Sequence, residues 1–452
     1  MSDSDQQRRG RLAGALGFCW GVAVLAAHFS GVLEDFEELL RDRLLMLPAP
    51  AVQKDPRLAL IAIDRIPSDR PWPWPRLDYA LLLRGLLPYA PENVVFEMLL
   101  NDRDTQYSAF DNSFAAAVGR QGRVAFAGAV MVRDDGAPLP ARLPVLQAAP
   151  GAGRLPPFGS VLWPLETFSD ASAVGAINLL PEEGGRIRRV PLVFRLRNQI
   201  VPSLILQAVA DRLGADLSKS ILRPGDSIDL RNAQGLELQR IPIDDEGRLR
   251  VRFRRQEPAV WTAAFDNVLL YADQLERGLQ PERNLRELRG RQVWIGRTDR
   301  QGSETLMTPG GPIAPVELQM LAVSKILSRD YLRPVPAAPT AAFFLLFAVL
   351  LAPLFVRWGT GTALAIIGAS TWTVVEGAIL GLRLQNWIFP IIGFVLLAGG
   401  LLVVGYATRH WEWESSPPDE DKNQLPLDFK GDKLKPEVVR PSFWDRKKNK
   451  SA

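Results

Sequence analysis

The sequence predicts an α/β domain with a mixed, initially parallel β-sheet, attached to four transmembrane α-helices. Four runs of apolar residues approach or exceed the roughly 20 residues that a bilayer-crossing helix needs. Between the first and second runs, short apolar segments alternate with amphipathic ones, a pattern typical of strands and helices that follow one another. Hydrophobic residues make up 47% of the 452 residues and charged residues 23%, which fits very apolar segments joined to a polar domain.

The four apolar runs cover residues 12–33, 341–356, 362–382 and 387–406. The first run is longer than the roughly 7 to 15 apolar residues of a signal peptide, which favours an uncleaved membrane anchor. A cleaved signal peptide is the alternative, since Ala26 and Ala27 are suitable residues to precede a cleavage site. The last three runs are separated by only a few residues, so we expect them to form a compact antiparallel set.

Positively charged residues predict the orientation, because they are enriched on the cytoplasmic side of membrane helices. Only Arg383 falls on the outer side if five other arginines share the cytoplasmic side, namely Arg8, Arg9, Arg11, Arg357 and Arg409. Both termini are then cytoplasmic. The predicted divisions are a cytoplasmic N terminus with the first helix (1–33), an extracytoplasmic domain (34–339), three transmembrane helices (340–407) and a disordered cytoplasmic tail (408–452).

The composition excludes several classes of function. A formal net charge of +4 argues against a mainly electrostatic nucleic-acid binder, so no nucleic-acid partner is expected. The chain has 2 His and 1 Cys, and none of them lies between residues 34 and 340. A disulfide framework, a Cys nucleophile, a Ser-His-Asp triad and a His- or Cys-ligated metal site are therefore excluded from the outer domain. We expect no cofactor and no enzymatic activity.

Two ionisable residues lie within the apolar runs, where such residues are costly and are paired or functional by default. At 1.5 Å rise per residue, His28 and Glu376 lie at similar depths below the outer ends of their helices. We expect them to form a hydrogen bond that docks the first helix onto the other three. The alternative is that Glu376 simply reaches the outer interface.

Small residues share one face of the first apolar run. Gly14, Gly17 and Gly21 are spaced by three and four residues, as in close helix pairs. This spacing is compatible with a homodimer that forms through this face.

The outer domain begins with three short apolar segments, 58–63, 93–97 and 123–127, which read as buried strands. Segments 77–87 and 111–118 between them read as helices, and this alternation predicts crossovers and a parallel sheet covered on both faces. Further along, 241–253 gives a strong hairpin signal because its residues alternate around a Gly-containing turn. A strand at 292–296 and a helix at 316–327 follow, and the helix leads into the second membrane run.

Ligands of open parallel sheets bind beyond the carboxyl ends of the strands, and Asp64 and Glu97 both occupy such ends. Together with Trp72, Trp74 and Arg76 from the intervening loop, they are candidates for an acidic pocket. The structural alternative is that Asp64 caps the following loop, Glu97 pairs with Arg76, and the tryptophans wedge the loop onto the sheet.

Several motifs carry a resemblance to a known family. They are Trp72-Pro-Trp-Pro-Arg76 after a strand ending in Asp64, the Gly-Ala-Ile-Asn turn at 175–178 with Arg188-Arg189-Val190-Pro191, and Val293-Trp-Ile-Gly296 with Thr308-Pro309. In these motifs and in its one-plus-three helices, the chain resembles the CHASE2 extracytoplasmic sensor family over about residues 35–332. It departs from the family at Glu97 and Glu304, where Asp is more frequent, and at Gln319, where His is common.

The resemblance implies a membrane sensor or scaffold of the bacterial inner membrane, with no room here for a cytoplasmic output domain. The expected partners are the lipid bilayer, an extracytoplasmic ligand and a separate signalling or envelope protein. The candidate ligand-binding residues are Asp64, Trp72, Trp74, Arg76, Glu97 and Glu304. Two alternatives stay open: a carboxylate-based envelope hydrolase using Asp64, Glu97 and Glu304, or a subunit of an envelope transport or assembly complex, based on Glu376.

Overall fold

The computed structural model describes residues 3–48, 55–70, 72–104, 106–136, 138–140, 143–150, 152–169, 172–182, 184–255, 257, 260–279, 285–299 and 304–410. The predicted disordered tail lies almost wholly outside the described residues. The α-helices, numbered in chain order, are α1 Asp3–Phe29, α2 Glu34–Leu45, α3 Arg76–Leu86, α4 Ala109–Gln121, α5 Glu166–Ser169, α6 Leu204–Leu213, α7 Phe265–Glu276, α8 Pro315–Leu327, α9 Ala337–Leu351, α10 Leu354–Trp358, α11 Thr360–Leu380 and α12 Ile391–His410.

The strands are mostly short. In chain order they are β1 Leu58–Ile63, β2 Asn93–Leu99, β3 Val124–Met131, β4 Gln147–Ala148, β5 Pro157–Phe158, β6 Ser160–Leu162, β7 Ala173–Ala176, β8 Arg189–Pro191, β9 Val193–Leu196, β10 Gln199–Pro202, β11 Ile221–Arg223, β12 Ser227–Arg231, β13 Glu237–Pro242, β14 Arg248–Arg250, β15 Trp261–Ala264, β16 Gln292–Arg297, β17 Leu306–Thr308, β18 Gly311–Ile313, β19 Arg333–Pro334 and β20 Trp387–Ile388.

The largest sheet has seven strands in the order β15-β1-β16-β2-β3-β6, with β7 also paired to β3. All of its pairings are parallel except β3 with β6, which is antiparallel. The prediction of a mixed, initially parallel sheet is therefore confirmed. The late strand β16 is inserted between β1 and β2, an order that the succession of segments along the chain does not reveal.

Both faces of this sheet are covered. Helices α3, α4 and α7 share one hydrophobic core with alternate sheet residues such as Ile61, Phe96 and Ile295. Helices α6 and α8 share a second core with the intervening residues, including Leu60 and Trp294. Successive side chains of a strand point to opposite faces of the sheet. Neighbouring residues of one strand therefore contact different sets of helices.

The predicted hairpin at 241–253 is wrong. A turn does form, with the N–H of Asp244 donating to the carbonyl O of Arg248 at 3.0 Å. However, β13 pairs with β12, whereas β14 pairs antiparallel with β8. After the turn β14 leaves β13, and its Arg250 forms an ion pair with Glu38 of α2.

Four helical segments are long and apolar enough to cross a membrane: 5–29, 337–358, 360–385 and 391–410. Helix α1 packs against α9, α10 and α12, while α11 packs against α10 and α12. The glycine face of α1 lies inside this bundle, since a Cβ on Gly17 would stand 2.7 Å from the Cβ of Ala352, and one on Gly21 would stand 3.3 Å from the Cβ of Ala348. These glycines therefore serve packing within one chain, which removes the basis for expecting a homodimer through this face.

Replacing Gly17 with leucine should lower the thermal unfolding temperature of the purified protein in detergent. The new side chain has no space beside α9, and overpacking of this kind costs about 1–3 kcal/mol. A Cβ on Gly10 of the same helix would meet nothing within 4 Å, so Gly10→Leu is the matched control and should leave the unfolding temperature nearly unchanged. Equal effects of the two substitutions would contradict the packing of α1 on α9.

Candidate functional site

The three acidic residues predicted to frame a pocket have different surroundings. Asp64 follows β1 and is exposed, and Glu304 precedes β17 and is also exposed. Glu97 belongs to β2 and is only 9% exposed. Within the described ranges, no group of three His, Cys, Asp or Glu side chains could hold a metal ion. Of these three acidic residues, Glu97 alone is buried.

The two tryptophans of the Trp-Pro-Trp-Pro loop pack on the α3 and α7 side of the sheet. Trp74 is 1% exposed, its ring centroid lies 5.0 Å from that of Phe265, and its Nε1 donates to the carbonyl O of Arg70 at 3.1 Å. Trp72 is partly buried beneath the guanidinium of Arg297, 5.1 Å from its ring centroid. This arrangement agrees with the structural alternative, in which the tryptophans wedge the loop onto the sheet.

Arg76 lies on that same side and does not pair with Glu97. Its Nη2 donates to the carbonyl O of Asp102 at 3.0 Å, and its Nε lies 3.9 Å from Asp111 Oδ1. Its backbone N–H donates to Asp104 Oδ2 at 2.6 Å. Glu97 points to the opposite face of the sheet from Arg76, because successive side chains of a strand alternate between the two faces. The Glu97–Arg76 pair of the structural alternative is therefore wrong.

Glu97 meets helix α8 instead. The Nε2 of Gln319, which is 1% exposed, donates to Glu97 Oε1 at 2.8 Å. Next to this contact, β16 contributes Gly296, where a Cβ would stand 2.6 Å from Val316 Cγ2 and 3.1 Å from Glu97 Oε2. The absence of a side chain at Gly296 allows α8 to approach the sheet closely enough for Gln319 to reach the carboxyl group.

The Glu97 carboxyl group is held in its neutral form. Burial raises its pKa to about 8, and among the described residues no ion pair with Glu97 offsets that burial. Gln319 Oε1 is buried and has no hydrogen-bond partner in the described part of the chain. A protonated carboxyl group offers an O–H donor as well as an acceptor, so a neutral Glu97 is compatible with the neighbouring amide of Gln319.

The other end of α8 is attached to the connection between α11 and α12 through Asp330, which follows the helix. Asp330 Oδ1 accepts from Arg252 Nη1 at 2.8 Å and from Asn386 Nδ2 at 3.2 Å, and its Oδ2 accepts from Arg254 Nη2 at 2.9 Å and Lys325 Nζ at 3.4 Å. Burial opposes ionisation of Asp330, but the positive charges of Lys325, Arg252 and Arg254 outweigh it and lower the pKa to about 2.

The segment after Asp330 also contacts the connection between α11 and α12. Strand β19 pairs with β20, which belongs to the connection between α11 and α12. Helix α8 thus joins the buried carboxyl group of the sheet to the outer ends of three membrane helices, α9, α11 and α12.

Helix α2 provides a second attachment. Glu38, which is 5% exposed, forms ion pairs with Arg250 of β14, Arg189 of β8 and Arg41. Asp42 accepts from Arg188 at 2.8 Å. The paired arginines of the Arg188-Arg189-Val190-Pro191 motif therefore join the outer domain to the helix that directly follows α1.

Glu37 links α2 to the membrane helices on its other side. Its Oε1 accepts from the backbone N–H of Gly393 at 3.0 Å, in the first turn of α12. Burial raises the pKa of Glu37, while hydrogen bonds from the amides of Gly393, Ile392 and Ile391 act in the opposite direction. A carboxylate at this position also complements the helix dipole.

The structure does not bring His28 and Glu376 together. His28 is half-buried on α1, with its ring centroid 5.1 Å from that of Phe29. Glu376 is exposed on α11, whose main packing partners are α10 and α12 rather than α1. No hydrogen bond links the two side chains in the described residues. Equal depth in the bilayer does not determine the rotation of each helix, and that rotation turns Glu376 outward.

Sequence reasoning missed the charged clusters around Glu38 and Asp330, although two signals were available. The acidic residues of α2 at 34, 38 and 42 recur every four residues and so share one helix face. Arginines at 248, 250, 252 and 254 alternate along an extended segment and so share one side of it. Complementary charges on two such surfaces are a usable signal for their association.

Comparison with known families supports this architecture. The CHASE2 domain model matches residues 19–354, well over half of the chain. No curated protein and no solved structure matches the chain significantly. The matched region begins within α1 and extends through α9, so it includes the outer domain and the contacts of α2 with that domain, whereas β20 and α12 lie beyond it. The chain belongs to the CHASE2 domain family, a family of sensor modules.

Proposed function

We propose that the protein is a non-enzymatic sensor or scaffold of the bacterial inner membrane. Its outer domain, on the periplasmic side, detects a ligand or partner, and the change is relayed through the membrane helices to a separate signalling or envelope protein. Both termini lie in the cytoplasm, in agreement with the arginines at the ends of α1, α10 and α12.

One observation carries the proposal: α8 has specific polar contacts at both of its ends. Gln319 holds the buried Glu97 of the central sheet, and Lys325 contacts Asp330 at the outer ends of the membrane helices. The residues of α8 between these two contacts are buried. A ligand that favours one position of α8 therefore changes the membrane helices, to the extent of its differential affinity for the two positions.

The relay can be measured as a distance change inside the membrane. Spin labels are attached to cysteines introduced at the exposed positions Leu350 of α9 and Val403 of α12, in a Cys19→Ser background because Cys19 is exposed and would also be labelled. Glu97→Ala removes the contact with Gln319. We expect it to shift or broaden the label-to-label distance distribution in lipid nanodiscs.

The exposed Glu166 of α5 provides the matched control. Glu166→Ala removes a carboxyl group of α5, which packs on the opposite face of the sheet from α8, and should leave the distribution unchanged. If Glu97→Ala lowers the unfolding temperature but leaves the distances identical to the wild type, the contact is only structural and α8 does not transmit to the membrane.

A further inference from the structure

A cavity of about 700 Å³ opens at the amino-terminal end of the central sheet, away from Glu97. Its walls come from the start of β3, the start of β7, the segment 143–145 and the last turn of α6 with the loop that follows. This volume lies within the range of roughly 300–1,000 Å³ that is usual for small-molecule sites. The cavity is therefore large enough for a small organic ligand.

One wall of the cavity carries a carboxyl group that forms no ion pair with any described residue. Asp211 accepts a hydrogen bond from Gln207 Nε2 at 2.9 Å. Burial raises the pKa of Asp211 to about 6, although this hydrogen bond and the charge of Arg123 act in the opposite direction. The residue also lies in the last turn of α6, where the helix dipole favours a cation over an anion. A positively charged group beside Asp211 would relieve both unfavourable conditions.

A positively charged side chain, that of Arg123, lines the same cavity beside the start of β3. Arg123 is exposed, and its guanidinium makes no ion pair or hydrogen bond within the part of the chain described here. Leu143, Val145 and Leu217 provide apolar surface in the same cavity. A cavity with a carboxylate, a guanidinium and apolar walls is complementary to a small molecule that carries both an ammonium and a carboxylate group.

We propose that this cavity binds a small zwitterion, either a free amino acid or a short peptide, with its ammonium group at Asp211 and its carboxylate at Arg123. The proposal rests on the function proposed above and names the class of ligand that the outer domain detects. The route to the membrane is short, because α6 packs directly against α8 and both helices contribute to the same hydrophobic core.

The test uses the full-length protein in lipid nanodiscs, screened against each free amino acid and a set of dipeptides. A ligand at about 100 times its Kd should raise the unfolding temperature clearly, because it binds only the folded state. Propylamine and propionate, which each carry only one of the two charges, should have no effect at the same concentration. Comparison of the free amino acids with the dipeptides shows which of the two classes of zwitterion the cavity binds.

Two variants locate the site. Asp211→Asn and Arg123→Gln should each weaken binding by about tenfold or more, as expected when one partner of a charge-assisted hydrogen bond is lost. Arg123 is exposed, so its substitution leaves the fold intact even if Asp211→Asn does not. The controls are Arg120→Gln and Asp69→Asn, two exposed residues outside the cavity lining, which should bind like the wild type.

Failure of the site and failure of the relay are distinguishable. The proposed site is overturned if no zwitterion raises the unfolding temperature, or if both variants still bind the zwitterion. Neither outcome affects the interpretation of the Glu97→Ala distance experiment. Binding that depends on Asp211 and Arg123 but does not change the Leu350–Val403 label distance supports the site and contradicts the relay.

Discussion

Replacing Glu97 with glutamine should stabilise the protein at pH 8 and have little effect at pH 5. The pKa of Glu97 is about 8 in the folded protein, against 4.5 as its ordinary value. Between these values the unfolded chain releases a proton that the folded chain keeps, so stability falls as the pH rises. The free energy of unfolding falls by about 1.4 kcal/mol per pH unit in this range. From pH 4.5 to pH 8 the total loss is roughly 5 kcal/mol.

The Glu97→Gln variant escapes this penalty because the new side chain is neutral at every pH, and its amide can still exchange hydrogen bonds with Gln319. We expect an unfolding temperature at pH 8 about 10 °C above that of the wild type, measured by intrinsic tryptophan fluorescence in detergent. Below about pH 4.5 both states of the wild type are protonated, and the two curves should coincide.

Asp211 also has a raised pKa and adds its own pH dependence. It is present in both proteins, so the difference between the wild type and Glu97→Gln isolates Glu97. Glu166→Gln, at an exposed position, should show no such difference at any pH. A Glu97→Gln variant that is destabilised equally at pH 5 and pH 8 would contradict a raised pKa of Glu97 in the folded protein.

Replacing Glu38 with glutamine should strongly destabilise the protein. Burial opposes ionisation of Glu38, but the charges of Arg250, Arg41 and Arg189 outweigh it and hold its pKa below the ordinary value. Without this carboxylate, Arg250 becomes a largely desolvated cation whose closest anionic partner is lost. Removal of one member of a buried ion pair costs about 3–5 kcal/mol, and the unfolding temperature measures this loss.

Two further variants check this explanation. Glu34 also contacts Arg189, but its side chain is 54% exposed, so Glu34→Gln should cost at most about 1 kcal/mol. The double variant Glu38→Gln, Arg250→Met removes both charges and should recover part of the stability that Glu38→Gln loses. No recovery in the double variant would mean that packing, and not an uncompensated charge, explains the effect of Glu38→Gln.

The local patterns of the sequence were sufficient for much of the fold. The apolar segment that begins at Leu58, the one at Asn93 and the helix before the second membrane run are all present near their predicted positions. These features depend on periodicity within about 5 to 15 residues, which the sequence displays directly.

Long-range partners were not predictable in the same way. Gln319 lies 222 positions from Glu97, and nothing local to either residue indicates their hydrogen bond. The failed hairpin has the same origin, since the partner of β14 is the distant strand β8 and its arginine meets an acid on α2. The loop after β1 and the end of β2 are close along the sequence, yet β16 separates the two strands, and the tryptophans and Glu97 lie on opposite faces of the sheet.

The pairing of β19 with β20 limits how the outer domain can be studied by itself. A fragment of residues 34–339 would lack Asn386, which donates to Asp330, and Gly393, which donates to Glu37. It would also lose the hydrogen bond from the N–H of Arg333 to the carbonyl O of Asn386. Glu37 and Asp330 would each lose a hydrogen-bond donor, and β19 would lose its partner strand. The fragment therefore lacks native contacts of the outer domain, and ligand-binding measurements belong on the intact membrane protein.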